Sequence, residues 1–109
     1  MRTLQFIVDG ETITLDPSCE LSGLFPGTNQ EICAKFVFSP EWKSRVKVAA
    51  FWSMLNKEYP PKVIEDDDTC LIPAEALARS AFKVQILGKY RGQIFKTNTI
   101  TIYQRGGHK

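Results

Sequence analysis

The chain has 109 residues, of which 43% are hydrophobic, 24% charged and 11% aromatic, and its formal net charge is +2. That length fits one domain, and this apolar content supplies a core without disulfides or metal. No apolar run approaches the roughly 20 residues of a membrane helix, and Met1-Arg2-Thr3-Leu4-Gln5 alternates where a secretory segment is continuously apolar, so the sequence predicts a protein made in a cytoplasm with no membrane partner.

Leu4, Phe6 and Val8 recur with period two, Asp9-Gly10 supplies a two-residue turn, and Ile13 and Leu15 continue on the return, which predicts a hairpin. Residues 16–30 hold two prolines and two glycines and keep no period. They predict a long irregular connection with Leu21, Leu24 and Phe25 tucked beneath it. Ile32, Ala34, Phe36 and Phe38 then share one strand face, and Ser39-Pro40-Glu41-Trp42 ends that strand.

Val46, Val48, Ala50 and Trp52 alternate with Arg45, Lys47, Ala49 and Phe51, so this strand turns apolar on both faces and is the candidate for a central position. Tyr59-Pro60-Pro61 makes a stiff extended connection. Val63 and Ile64 lead into the acidic turn Glu65-Asp66-Asp67-Asp68, and Thr69 to Ile72 follow. Residues 73–79 alone have helix-forming composition, with proline at the first position, and predict about two turns.

Phe82, Val84 and Ile86 mark the next strand, and Gly88-Lys89-Tyr90-Arg91-Gly92 predicts a glycine-flanked hairpin loop. The last strand, 93–103, puts Thr97, Thr99, Thr101 and Tyr103 on one side and Ile94, Ile100 and Ile102 on the other. Together these elements predict an all-β protein: an immunoglobulin-like antiparallel β-sandwich of seven or eight short strands over residues 1–104, one short helical turn near 73–79, and a mobile tail at 105–109.

Little in the sequence points to catalysis. The lone histidine, His108, stands in a Gly-Gly-His-Lys tail, so no Ser/His/Asp or Cys/His mechanism is expected. Phosphate-binding glycine motifs are missing, and Cys19, Cys33 and Cys70 form an odd set without C-x-x-C spacing, which predicts small buried apolar residues in place of a metal site or disulfide framework. The run Glu65–Asp68 lacks calcium-loop spacing and predicts a solvated turn. We expect no enzyme, no metal, no cofactor and no nucleic-acid partner.

Charge is unevenly spread. Residues 1–75 carry seven Lys/Arg and all twelve Asp/Glu, whereas residues 76–109 carry seven Lys/Arg and no acid. Such a split marks an anionic partner or head-to-tail packing between copies, unless the two halves interleave and mix their charges on the surface. Trp42, Tyr59, Tyr90, Arg91 and Tyr103 form the candidate binding surface.

The stretch Pro60-Pro61-Lys62-Val63-Ile64-Glu65-Asp66, then Thr69-Cys70-Leu71-Ile72-Pro73-Ala74-Glu75-Ala76-Leu77, a strand ending in Leu87-Gly88 and the closing Thr97-Asn98-Thr99-Ile100-Thr101-Ile102 resembles immunoglobulin-like domains of tailed-phage and prophage tail or baseplate proteins. The resemblance covers about half of the chain and marks scaffold positions. It implies a non-enzymatic virion component, of tail, baseplate or decoration type, whose partners are other phage structural proteins or copies of itself. The alternative is a carbohydrate-binding module that recognises the host cell wall, with Trp42, Tyr59 or Tyr90 stacking on sugar faces.

Overall fold

The computed structural model describes residues 2–19, 26 and 31–104. Among them the order is β1 (Arg2–Asp9), β2 (Thr12–Leu15), β3 (Ile32–Phe38), a 3₁₀ turn (Pro40–Trp42), β4 (Val46–Trp52), β5 (Lys62–Val63), β6 (Thr69–Leu71), α1 (Ala74–Leu77), β7 (Ala81–Tyr90), β8 (Gln93–Lys96) and β9 (Ile100–Tyr103). Two sheets form, β2-β1-β3-β6 and β5-β4-β7-β8, with β9 also on β7, and their inward residues share one apolar core. The fold is all-β and a sandwich, as alternation predicts. The expectations for Leu21, Leu24, Phe25 and the tail lie outside the described residues.

In the four-stranded sheet, Leu4, Phe6 and Val8 point inward and are fully buried. Asp9 pairs with Thr12, so the turn is Gly10-Glu11, one residue later than expected, with Gly10 at φ +60 as its first central residue. β1 and β3 run parallel, from Arg2 opposite Ile32 to Val8 opposite Phe38, which corrects the expected wholly antiparallel sandwich. The reason is connectivity. β2 finishes beside Gln5, where the Asp16 N–H donates to the Gln5 carbonyl, and β3 enters beside Arg2, so both chain ends lie toward the same end of β1. Phe6 and Phe36 face each other across this parallel pair and stack at 5.3 Å.

From β3 onward the order of strands follows immunoglobulin connectivity: β3 and β6 of the four-stranded sheet take the places of strands B and E, and β4, β5, β7 and β8/β9 of the five-stranded sheet those of C, C′, F and G. β4 is central, between β5 and β7. α1 is one turn, shorter than the two expected: the Arg79 N–H already bonds back to the Ala76 carbonyl in 3₁₀ fashion (3.3 Å), and Gln104 Nε2 donates to the carbonyls of Leu77 and Arg79 (2.9 and 2.7 Å) left free at this end.

The predicted single strand 93–103 is interrupted. β8 pairs β7 with Leu87 opposite Lys96, β9 pairs it with Val84 opposite Ile100, and between them the register slips by one. Asn98 and Thr99 therefore stand together opposite Gln85, a β-bulge. Asn98 turns across to the other sheet: its N–H donates to the Glu11 carbonyl (3.1 Å) and its Oδ1 accepts from the Ile13 N–H (2.8 Å). Thr97 Oγ1 accepts from the Ile86 N–H (3.1 Å). The slip reverses the expected facing in β8. Ile94 points out, Phe95 packs against the core and Thr97 is buried, whereas Ile102 in β9 points in.

The 3₁₀ turn closes one end of the sandwich. Trp42 Nε1 donates to the Gly10 carbonyl (2.8 Å), and Ser39 Oγ accepts from the Gly10 N–H (2.8 Å). The indole lies against Phe95 (4.9 Å) and Phe38 (5.5 Å), and its far edge rests on Gly88, where a Cβ would come within 2.6 Å of the ring. Gly88 is thus a strand residue made small by contact, and the predicted five-residue loop 88–92 shrinks to Arg91-Gly92, both at positive φ. Gly88→Ala is expected to lower stability by about 1–3 kcal/mol through overpacking. In a Trp42→Phe background the indole is gone and the Arg45 side chain, whose Cδ lies 3.0 Å from such a Cβ, can swing aside, so the double variant should lose at least ~1 kcal/mol less than the sum of the single losses. Urea denaturation of the four proteins measures this, and strictly additive losses would show that ring and strand do not press on each other.

Candidate interaction surface

The structure scatters the residues expected to form a binding surface. Trp42 is 0% exposed and Tyr59 8%, both within the core, so neither offers a face to a ligand; this corrects their expected exposure. Trp42 is drawn in by its bond to Gly10, and Tyr59 by its N–H bond to the Phe51 carbonyl (2.8 Å), which holds the chain flat along β4. Tyr90, Arg91 and Tyr103 are exposed. Arg91 covers the Tyr90 ring at 5.1 Å beside the β7–β8 turn, but Tyr103 pairs with Ala81 at the opposite end of β7. Nine residues of strand put about 30 Å between them.

Glu65–Asp68 forms a tight turn between β5 and β6, closed by the Asp68 N–H to the Glu65 carbonyl (2.9 Å), with Asp68 at φ 64 and Asp67 accepting from Thr69 Oγ1 (2.7 Å). No group of three or more His, Cys, Asp or Glu side chains is set to hold a metal among the described residues.

A coherent surface lies elsewhere, on the outward face of the five-stranded sheet. The strand registers lay its side chains in rows. One row runs Val63, Val48, Leu87, Lys96 across β5, β4, β7 and β8, and the next runs Val46, Lys89, Ile94. Ala50 with Gln85 and Trp52 with Lys83 continue the face toward the far end. Val46, Val63 and Ile94 are 64%, 62% and 66% exposed, although outward strand positions are ordinarily polar. Between Val46 and Ile94 lies a depression of about 290 Å³, bordered by Glu58, Pro61 and Lys89. The outward face of the other sheet is more mixed: Thr3, Gln5, Asp9, Thr12, Thr14 and Lys35 share it with Ile7, Val37 and Leu71, of which Val37 and Leu71 are 46% and 45% exposed.

This face was visible in the sequence as the two-sided apolarity of Val46–Trp52. Such a strand is equally what a fully covered position would need, and nothing local tells whether a second layer covers it. The contribution of Ile94 was hidden, because only the bulge turns it outward.

The three cysteines are free thiols, with Cys70 buried and Cys19 and Cys33 half-buried. Cys33 pairs with Leu71 and Ala34 with Cys70, so the two thiols point to opposite faces of their sheet. No protein-family model matches the chain, and no curated protein matches it at a significant level.

Burial pushes the Cys70 thiol up to about 12 from an ordinary 9.0, with neighbouring Cys33 adding to the shift. The unfolded chain then ionises this group near pH 9 while the folded chain keeps it protonated. Its effect on stability is absent below pH 9 and becomes a loss between pH 9 and about 12, at up to about 1.4 kcal/mol per pH unit. From about pH 8 to 10, wild type should therefore lose ~1.4 kcal/mol more than Cys70→Ala in urea denaturation. Equal losses would show that the thiol ionises freely in the folded protein.

Proposed function

We propose that this chain is a non-enzymatic structural component of a tailed-phage or prophage virion, of tail, baseplate or decoration type, and that it works by protein–protein assembly through the outward face of its five-stranded sheet. The observation that carries the reading is the set of solvent-facing aliphatic side chains at Val46, Val63 and Ile94 on a rigid central sheet. Contiguous exposed apolar surface of this kind marks interaction sites. Fully burying one aliphatic side chain contributes about 1.5–3 kcal/mol. Three that start two-thirds exposed offer ~3–6 kcal/mol, worth a factor of about 10²–10⁴ in affinity.

The phage assignment draws on the resemblance of the Pro60–Leu77 and Thr97–Ile102 segments, and the immunoglobulin connectivity of β3 to β9 agrees with it. Carbohydrate recognition has less support. Stacking on sugars needs neighbouring exposed rings, and Tyr90 and Tyr103 lie at opposite ends of β7 while Trp42 and Tyr59 are buried.

Val46→Lys with Ile94→Lys changes two exposed side chains and should leave stability within about 1 kcal/mol of wild type. The same protein should lose association with its partner by ~10²-fold or more. Size-exclusion chromatography with light scattering over a wide concentration range, repeated with the structural proteins encoded beside this gene, reads both. A wild-type chain that stays monomeric and binds none of those proteins would overturn the proposal.

A further inference from the structure

We infer that the partner is a second copy of the chain, docked head to tail, with the acidic β5–β6 edge of one copy against the basic β8 edge of the next, so that Val63 and Ile94, at the two margins of the apolar face, are the side chains covered. The inference rests on the assembly reading above and names the partner. Its ground is the way charge and exposed apolar side chains divide between the two lateral edges of the sandwich.

At one edge lie β5 and β6, the outermost strands of their sheets. Val63 and Leu71 are exposed there, beside a groove of about 510 Å³ that also takes in Pro61, Lys62 and Thr69. The turn joining these strands holds Glu65, Asp66 and Asp67 exposed, and Glu58 lies on the same side, bridged to Trp52. At the other edge lies β8, where Ile94 is exposed between Lys89 and Lys96, with Arg91 at the turn. Glu11, on the β1–β2 turn reached by Asn98, is an acid on that side, and so is Glu41, whose charge meets Arg45 over the Phe95 ring. Three interstrand spacings, about 14 Å, separate the two edges across the sheet. Each edge therefore pairs an apolar anchor with an excess of one charge: three exposed carboxylates to the single Lys62 in the groove at the β5–β6 edge, and Lys89, Arg91 and Lys96 at the β8 edge.

A two-fold contact of this face with itself would press one surface carrying Lys83, Lys89 and Lys96 against another carrying the same three lysines. Like charges brought together in that way oppose docking. A head-to-tail contact sets Lys89, Lys96 and Arg91 against Glu65, Asp66 and Asp67, and Ile94 against Val63 and Leu71. The two contacting patches are then different surfaces of the same chain, so the association is heterologous and closes into a ring or extends as a filament according to the rotation between copies.

Charge reversal tests this directly. Lys89→Glu with Lys96→Glu makes both edges acidic, and Asp66→Lys with Asp67→Lys makes both basic. Each variant alone should self-associate at least ~10-fold more weakly than wild type in sedimentation velocity at low salt, with an unchanged circular dichroism spectrum. An equimolar mixture of the two should recover association, because each then meets an edge of opposite sign. Self-association of wild type that the aspartate reversal leaves unchanged would overturn the head-to-tail contact while leaving assembly intact. A wild-type monomer that binds a co-encoded structural protein would do the same, and one that binds nothing would remove both readings.

Discussion

The end of the sandwich at Trp42 is organised by a single contact, the indole held between the Gly10 carbonyl of one sheet and Gly88 of the other. Hydrogen bonding from Trp42 Nε1 and to Ser39 Oγ satisfies both backbone groups of Gly10, which fixes the β1–β2 turn. On the opposite side the ring lies so near β7 that only a residue without a Cβ fits. Because Gly88 is used in this way, β7 continues as regular strand through Tyr90 and reverses only at Arg91-Gly92. Lys89 thereby becomes a strand residue that projects outward beside Val46 and Ile94. A loop at 88–92 would have left the outward face without its middle lysine and without the neighbour that positions β8.

The bulge opposite Gln85 has an equally wide reach. Carried through without the extra residue, the β8 register would place Ile102 opposite Ala81, on the outward side, and would strip the core of a fully enclosed side chain. The slip lets β8 present Ile94 and Lys96 outward while β9 keeps Ile102 inside. A bulge leaves backbone groups unpaired in its own sheet. Here the Asn98 N–H and side-chain oxygen are spent on Glu11 and Ile13, so the irregularity in one sheet becomes a tie between the two. Gln104 makes a comparable tie one strand later, from the end of β9 to the carbonyls that end α1.

These long-range ties explain which parts of the molecule were legible in the sequence. Leu4, Phe6, Val8, Phe36, Phe82, Val84 and Ile86 were readable as core because period two is a local property, and each strand carries its own pattern. The parallel pairing of β1 with β3 was not, since it depends on where a long connection delivers the chain. Trp42 and Tyr59 looked exposed because each sits among charged or proline residues, whereas their burial comes from Gly10, Gly88 and Phe51, which are distant in sequence. Gly88 and Gly92 look alike in sequence and differ in cause: Gly92 supplies a positive φ, and Gly88 supplies an absent side chain.

The same limit separates the apolar face from its function. Val46, Val48, Ala50 and Trp52 give a strand that fits a covered position, yet only Ala50 is closed off, at 2% exposure, while Val46 stands 64% exposed. Leaving such a surface open invites indiscriminate stacking unless something makes wrong contacts costly. Lys83, Lys89 and Lys96 do this, because their register places them on the same face as the apolar rows, where their charge opposes any surface of like sign. Lysines alone would favour every acidic protein equally. Placing the compensating carboxylates on the far edge of the same chain narrows the choice, since the apolar anchor and the opposite charge are then offered together, at one spacing, by a further copy of the molecule.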